Sequence, residues 1–168
     1  MFKYDENVGS LYGIELINDL TIRKTAQLSS RSGFEWIQKL CNHLIANPHP
    51  MIVPIYRFEV LEEIPERGNN QWGMFKYAYE MMRLPKLSRE EKHALNTTLS
   101  HRYRPDHPDL IPVKRDYLAM YKFMQQVCDE NNYTDLHDGN FLKDQEGNYR
   151  IIDLEGFARF PGLGSRDS

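Results

Sequence analysis

Three side chains near the carboxyl end of this 168-residue chain have the types and spacing to hold a hard cation and orient a reacting hydroxyl. They are Asp135, Asn140 and Asp153, with Glu155 two residues further on. Asn140 follows Asp135 by five positions, and Asp153 follows Asn140 by thirteen. Between the last two lie an apolar run (Phe141-Leu142), a polar Gly-containing segment (Asp144 to Asn148) and a second run (Tyr149 to Ile152). That order reads as strand, turn, strand. A hairpin folded there returns Asp153 to the neighbourhood of Asn140. An amide and a carboxylate suffice for a magnesium ion that keeps waters and takes phosphate oxygens. A separate carboxylate, Asp135, is then placed to accept or orient the proton of an attacking hydroxyl. The competing reading is a polar hairpin with an Asx-turn at Asp138-Gly139 and surface carboxylates.

The run Asp135-Leu136-His137-Asp138-Gly139-Asn140, with Ile152-Asp153-Leu154-Glu155, resembles the Asp-Leu-His-x-Gly-Asn and Ile-Asp-x-Glu signatures of the protein-kinase-like superfamily. The nearest variant is that of aminoglycoside and choline-type kinases. The resemblance implies ATP and Mg2+ as cofactors and phosphoryl transfer to a hydroxyl as the reaction. Asp135, Asn140 and His137 would be the catalytic residues, His137 bracing the loop or touching the transferred phosphate. Asn140, Asp153 and Glu155 would be the metal set. It also implies an α+β, two-lobed fold. Residues 1–84 would form an amino-terminal lobe with a five-strand antiparallel sheet and one helix. Residues 85–168 would form a minimal carboxyl-terminal lobe. The family's His two positions before the catalytic Asp is Tyr133 here, whose buried hydroxyl would brace the loop instead.

The preceding elements must position these groups. Residues 1–25 read as short strands, with a tight turn at Asn18-Asp19. Gly9 and Gly13 suit a loop approaching phosphates, or simple turn geometry, since no full G-x-G-x-x-G is present. Alternation places Leu20, Ile22 and Lys24 on one strand face. The resemblance implies that Lys24 is the phosphate-contacting lysine, the alternative being a strand-end lysine that snorkels to solvent, with Arg23 the competitor if the register slips by one. Residues 30–46 show apolar recurrence at helical spacing (Phe34, Ile37, Leu40, Cys41, Leu44, Ile45). Glu35 on this helix is the expected partner of Lys24, or a solvated residue favoured by the helix dipole. Segments 51–60 and 73–80 read as a strand pair. The resemblance implies that the run Glu80 to Met82 is the hinge whose backbone meets adenine, the alternative being core methionines at a strand end. Ser88-Arg89-Glu90-Glu91 is a capping-box signature for a helix to about Ser100. A second amphipathic helix spans Val113 to about Asp129. Between them, His101 to Pro108 is an extended, locally positive loop. His101 and His107 lack a Cys or third ligand in that reading, so the loop is taken as solvated or substrate-facing rather than as a zinc site.

Composition narrows the function classes. A net charge of −3 gives no basic field for nucleic acid or anionic membrane. No apolar run approaches spanning length, and the start carries no apolar signal core. Cys41 and Cys128 fall on apolar helical faces, as buried thiols of a reducing compartment do. A cytoplasmic protein is expected, in the host cytoplasm if phage-encoded. Only thirteen residues follow Glu155, so the helical subdomains that dock peptides, or enclose antibiotics or choline, are expected to be missing. This truncated plan resembles the compact kinases of some lytic bacteriophages, which implies a protein acceptor. The alternatives are a kinase-like module that acts by binding a partner, and a small-molecule kinase whose missing wall comes from a second subunit.

Overall fold

The computed structural model describes residues 13–68, 71–129, 131, 133 and 136–166. The fold is mixed α+β, with a four-stranded antiparallel sheet and three α-helices among the described residues. The strands are β1 (Gly13–Asn18), β2 (Thr21–Leu28), β3 (Ile55–Ile64) and β4 (Met74–Met82), in the spatial order β1-β2-β4-β3. The sheet has four described strands where five were expected. The remaining expected strand, with Gly9, lies outside the described residues.

The β1–β2 turn sits one residue later than the sequence suggested. Asn18 pairs with Thr21, and its Oδ1 accepts from the Leu20 N–H at 2.9 Å. Leu20 is therefore a turn residue and 75% exposed, not a member of the strand's inner face. That inner face is Ile22, Lys24 and Ala26, all buried. In cross-strand register, Ile22 opposes Met81, Lys24 opposes Tyr79 and Ala26 opposes Tyr77. The inner face of β4 is thus Phe75, Tyr77, Tyr79 and Met81. Helix α1 (Arg31–Ala46) packs on this face through Phe34, Trp36, Ile37, Leu40, Cys41 and Leu44. Its Ser30 cap accepts the Gly33 N–H.

Helix α2 (Arg89–Ser100) opens with the expected capping box, the Ser88 and Glu91 side chains each bonding the other's backbone N–H. Helix α3 (Lys114–Phe123) continues into a π-helical segment, Met124–Asp129, and is not uniform to its end as expected. Tyr117, Met120, Val127 and Cys128 are buried, while Tyr121 is 42% exposed.

The expected hairpin is present as β5 (Phe141–Lys143) and β6 (Tyr149–Ile151), with Gly147 at φ 82° in its turn. Asp144 organises that turn. Its Oδ1 accepts the N–H groups of Glu146 and Asn148, and its Oδ2 accepts the Arg150 Nε–H at 2.9 Å. Arg150 then donates to the carbonyl of Ile52 at 3.1 Å. The backbone also crosses over directly: Val53 N–H donates to Ile151 O at 2.9 Å, and Ile151 N–H to Met51 O at 3.0 Å. These bonds fix the hairpin against the segment that leads into β3. The residues after Glu155 do more than form a loose tail. A 3-10 turn (Leu154–Gly156) leads to a small ribbon, β7 (Arg159–Phe160) and β8 (Gly164–Ser165). Trp36 Nε1 donates to Phe157 O at 2.9 Å, Lys39 Nζ to Leu163 O at 2.8 Å, and Phe157 and Phe160 are buried.

Asp144→Ala removes the acceptor for two turn amides and the partner of Arg150. It should lower stability by about 1–3 kcal/mol, read as a reduced urea midpoint with unchanged slope.

Candidate functional site: a buried lysine–carboxylate cluster in a cleft

A cavity of about 170 Å³ opens between the sheet and the hairpin. Ile14, Ile22 and Met81 line it from the sheet, Leu142 and Ile152 from the hairpin side, and Lys24, Asn140 and Asp153 supply polar groups. The hairpin delivers the last two as the sequence suggested. Ile152 N–H donates to Asn140 O at 3.0 Å, so the residues on either side of the ribbon's open end are held together. Asn140 is 1% exposed. Asp135 lies outside the described residues.

Lys24 decides the electrostatics of the cleft. Its ammonium sits 3.0 Å from Glu155 Oε2 and 3.4 Å from Asp153 Oδ1, and the residue is 6% exposed. Arg23 points to the other face, where it pairs with Glu59 at 3.0 Å, so the register favours Lys24 over its competitor. Glu155 is held by two tyrosines of β4 as well as by Lys24 of β2. Tyr77 hydroxyl donates to its Oε1 at 2.7 Å, and Tyr79 hydroxyl to its Oε2 at 3.2 Å. Burial acts to raise the Glu155 carboxyl, but Lys24 and the hydrogen bonds outweigh it and hold it down at about 2. Burial, reinforced by a hydrogen bond to Glu155, pushes Asp153 up to about 7. Two carboxylates thus share one ammonium and, below about pH 7, one proton. Above that pH the cluster carries a surplus negative charge with oxygen donors lining the cleft, which suits a hard divalent cation. Glu155, whose oxygens accept from Lys24 and both tyrosines, braces the lysine; Asn140 and Asp153 are the better placed donors.

Several expected site residues are placed elsewhere. Glu35 does not meet Lys24. Its side chain is 60% exposed and lies 3.8 Å from Arg31, one turn earlier on α1. The apolar stripe rotates position 35 outward, while Cys41 on the inward face is buried and its thiol is pushed up by burial and by Glu155. Glu155 has the role expected of Glu35. Glu80 is on the outward face of β4, opposite Arg23 and Arg57. The Met82 N–H is engaged by Pro54 O at 3.0 Å and the Arg83 N–H by Leu20 O at 2.9 Å, so Met82 does not offer its amide to a base. Strand alternation makes Met81 the cleft-lining methionine. Gly13 opens β1 opposite Thr25 and has no positive φ, and a Cβ there would meet only Thr25 Cβ at 3.9 Å. Nothing in its backbone requires glycine, and Ile14 lines the cleft instead.

His137 is exposed, and its Nδ1 accepts the Gly139 N–H at 3.1 Å, capping the short turn that carries Asn140. It braces the loop. A Cβ at Gly139 would come within 2.9 Å of the His137 ring. Tyr133 is 5% exposed, and its hydroxyl donates to Asp153 O at 2.8 Å, the bracing contact expected of it.

Sequence reading missed Tyr77, Tyr79 and Gly156. The tyrosines alternate on β4 with Phe75 and Met81, a pattern indistinguishable from core. Gly156 allows the Tyr133 ring to lie against it: a Cβ there would fall 2.5 Å from Tyr133 Cζ. Also unforeseen was the network tying the hairpin to the helices. Lys143 reaches Asp116 at 2.8 Å and Glu91 at 3.7 Å, Tyr149 hydroxyl donates to Asp116 at 2.9 Å, and Lys92 meets Asp138 at 3.3 Å. No helix among the described residues is long and apolar enough to cross a membrane. No protein-family profile matches the chain, and no curated protein matches it in sequence.

Two outcomes follow. Gly156→Ala forces Tyr133 off Asp153 and should cost about 1–3 kcal/mol, measured by chemical denaturation. The pH dependence has a definite sign. The folded pair holds one proton between about pH 2 and pH 7, whereas the unfolded groups titrate near their ordinary 3.8 and 4.5. From pH 5 to 8 the native state binds more protons than the unfolded one, so Asp153 makes the protein less stable as pH rises. Asp153→Asn removes that proton uptake. Its unfolding free energy relative to wild type, from chemical denaturation at each pH, should therefore rise between pH 5 and pH 8 by on the order of 1–3 kcal/mol.

Proposed function

We propose that the chain is an ATP-dependent phosphotransferase of protein-kinase-like, two-lobed plan, transferring phosphate to a hydroxyl of a protein acceptor. The observation that carries this reading is Lys24, buried on the sheet face and ion-paired with Glu155 and Asp153 at one side of a cleft that also contains Asn140. A fixed cation, an oxygen donor pair and apolar walls in one concave site are what a nucleotide triphosphate needs. The signature-like spacing of Asp135, Asn140 and Asp153 supports the same reading.

In this mechanism the apolar side chains Ile14, Ile22, Met81, Leu142 and Ile152 cover the base and exclude water. Lys24, held in place by Glu155, contacts the phosphates. Mg2+ held by Asn140 and Asp153 would neutralise charge on the phosphate oxygens. Asp135 orients the acceptor hydroxyl and takes up its proton. His137 and Tyr133 keep the loop and Asp153 in place. Residues 13–84 and 85–166 correspond to the two lobes. Among the described residues the carboxyl-terminal walls are α2, α3 and the hairpin, an open arrangement that suits an acceptor bringing its own docking surface.

Calorimetry with Mg-ATP and a phosphate-transfer assay on lysate proteins test the proposal. Wild type should bind and transfer. Asp135→Asn and Asp153→Asn should each lose at least about a hundredfold in transfer while staying folded. Glu35→Gln should stay within about twofold of wild type, whereas Glu155→Gln should lose transfer through the lysine it braces. Near-wild-type transfer by Asp153→Asn would overturn the role assignments. Nucleotide binding without transfer would identify a binding module instead.

A further inference from the structure

Away from the cleft, the connection between α2 and α3 gathers three metal-binding side chains. His101 caps the end of α2, and His107 and Asp109 flank Pro108 at the start of a short 3-10 turn. Backbone bonds fold the loop on itself: Arg104 N–H donates to His101 O at 2.9 Å, His107 N–H to Arg104 O at 3.0 Å and Leu110 N–H to His107 O at 3.0 Å. The two imidazoles stack with centroids 3.7 Å apart. Asp109 Oδ2 lies 3.3 Å from His101 Nε2 and 3.7 Å from His107 Nδ1. One ligand atom from each residue falls within 4.8 Å of the others. The sequence reading set a metal aside for want of a third ligand; the loop supplies it as Asp109.

We propose that His101, His107 and Asp109 form a binding site for a divalent transition metal, Zn2+ foremost, that clamps the α2–α3 connection. The spacing is the first argument. A tetrahedral ion with bonds of about 2.0–2.1 Å separates its ligand atoms by about 3.4 Å, and the two Asp109 contacts bracket that value. The chemistry is the second. Two imidazoles and one carboxylate suit zinc, nickel or cobalt and do not suit magnesium. The folded backbone is the third, because its turns bring the three residues together before any ion arrives and leave only side-chain rotations to loading. Loading turns the rings out of their parallel stack, since a metal lies in the plane of each imidazole, and replaces the Asp109 N–H bond now accepted by His107 Nδ1 if that nitrogen ligates. The Nδ1 of His101 is buried and has no hydrogen-bond partner, so no contact fixes its tautomer from that side. The clamp is structural: α2 and α3 carry Glu91, Lys92 and Asp116, the groups that hold the hairpin.

The test uses the full chain freed of metal by a chelator, titrated with Co2+ as a visible probe and then with Zn2+ in competition. One Co2+ per chain should show the intense visible bands of a low-coordinate nitrogen–oxygen site, distinct from the weak bands of any Co2+ held by oxygen donors in the cleft, and Zn2+ should bleach them. Asp109→Asn, exposed and safe for folding, and His107→Ala should each weaken Co2+ binding at least about tenfold. Asp153→Asn, in the cleft, should leave it unchanged, so this result stands or falls apart from the phosphotransferase reading. No visible bands, or bands that persist unchanged in both Asp109→Asn and His107→Ala, would overturn the site. So would bands lost only in Asp153→Asn.

Discussion

A single buried ion pair, Lys24 with Glu155, organises the rest of the molecule. Burying a charge is costly unless it is paired and hydrogen-bonded. Here the ammonium comes from the sheet and the carboxylate from the turn after the hairpin, and two tyrosines of β4 satisfy the carboxylate. Removing either partner would leave the other charge uncompensated in a closed environment, which costs more than the pair itself contributes. The pair therefore sets how the carboxyl-terminal ribbon must meet the sheet.

That requirement explains the density of bonds around the hairpin. Arg150 and the Ile151 backbone tie it to the segment before β3, Lys143 and Tyr149 tie it to α2 and α3, and Tyr133 ties the approaching loop to Asp153. The ribbon after Glu155 seals the other side by bonding to Trp36 and Lys39 of α1. Helix α1 is consequently fixed through apolar packing and the ribbon, with its acidic residue, Glu35, in solvent. The lysine's partner is carried by the same short turn that carries Asp153, so both carboxylates that pair with Lys24 come from one short segment.

The legible parts of the chain share a property: they depend on neighbours close in sequence. The α1 stripe, the Ser88 capping box, the β1–β2 hairpin and the β5–β6 ribbon all follow from local periodicity and turn chemistry. The misplaced residues depend on rotation or register. Glu35 sits only one position before Trp36, yet that one position, 100° around a helix, separates solvent from core. Leu20 left the inner face because the turn begins one residue later. Met81 replaced Met82 because side chains alternate along a strand. Asp109 was not joined to His101 and His107 because a His-x-Asp spacing says nothing until the loop closes on His101.

The sequence by itself determined the element types, the hairpin that returns Asp153 to Asn140, and Lys24 on an inward strand face, because each is set by spacing within a short segment. Only the tertiary structure decided which carboxylate meets Lys24, which tyrosines hold that carboxylate, and which side chains line the cleft. Those are contacts across 76 to 131 residues of chain. Their geometry is fixed by how whole elements pack, and no local pattern encodes it.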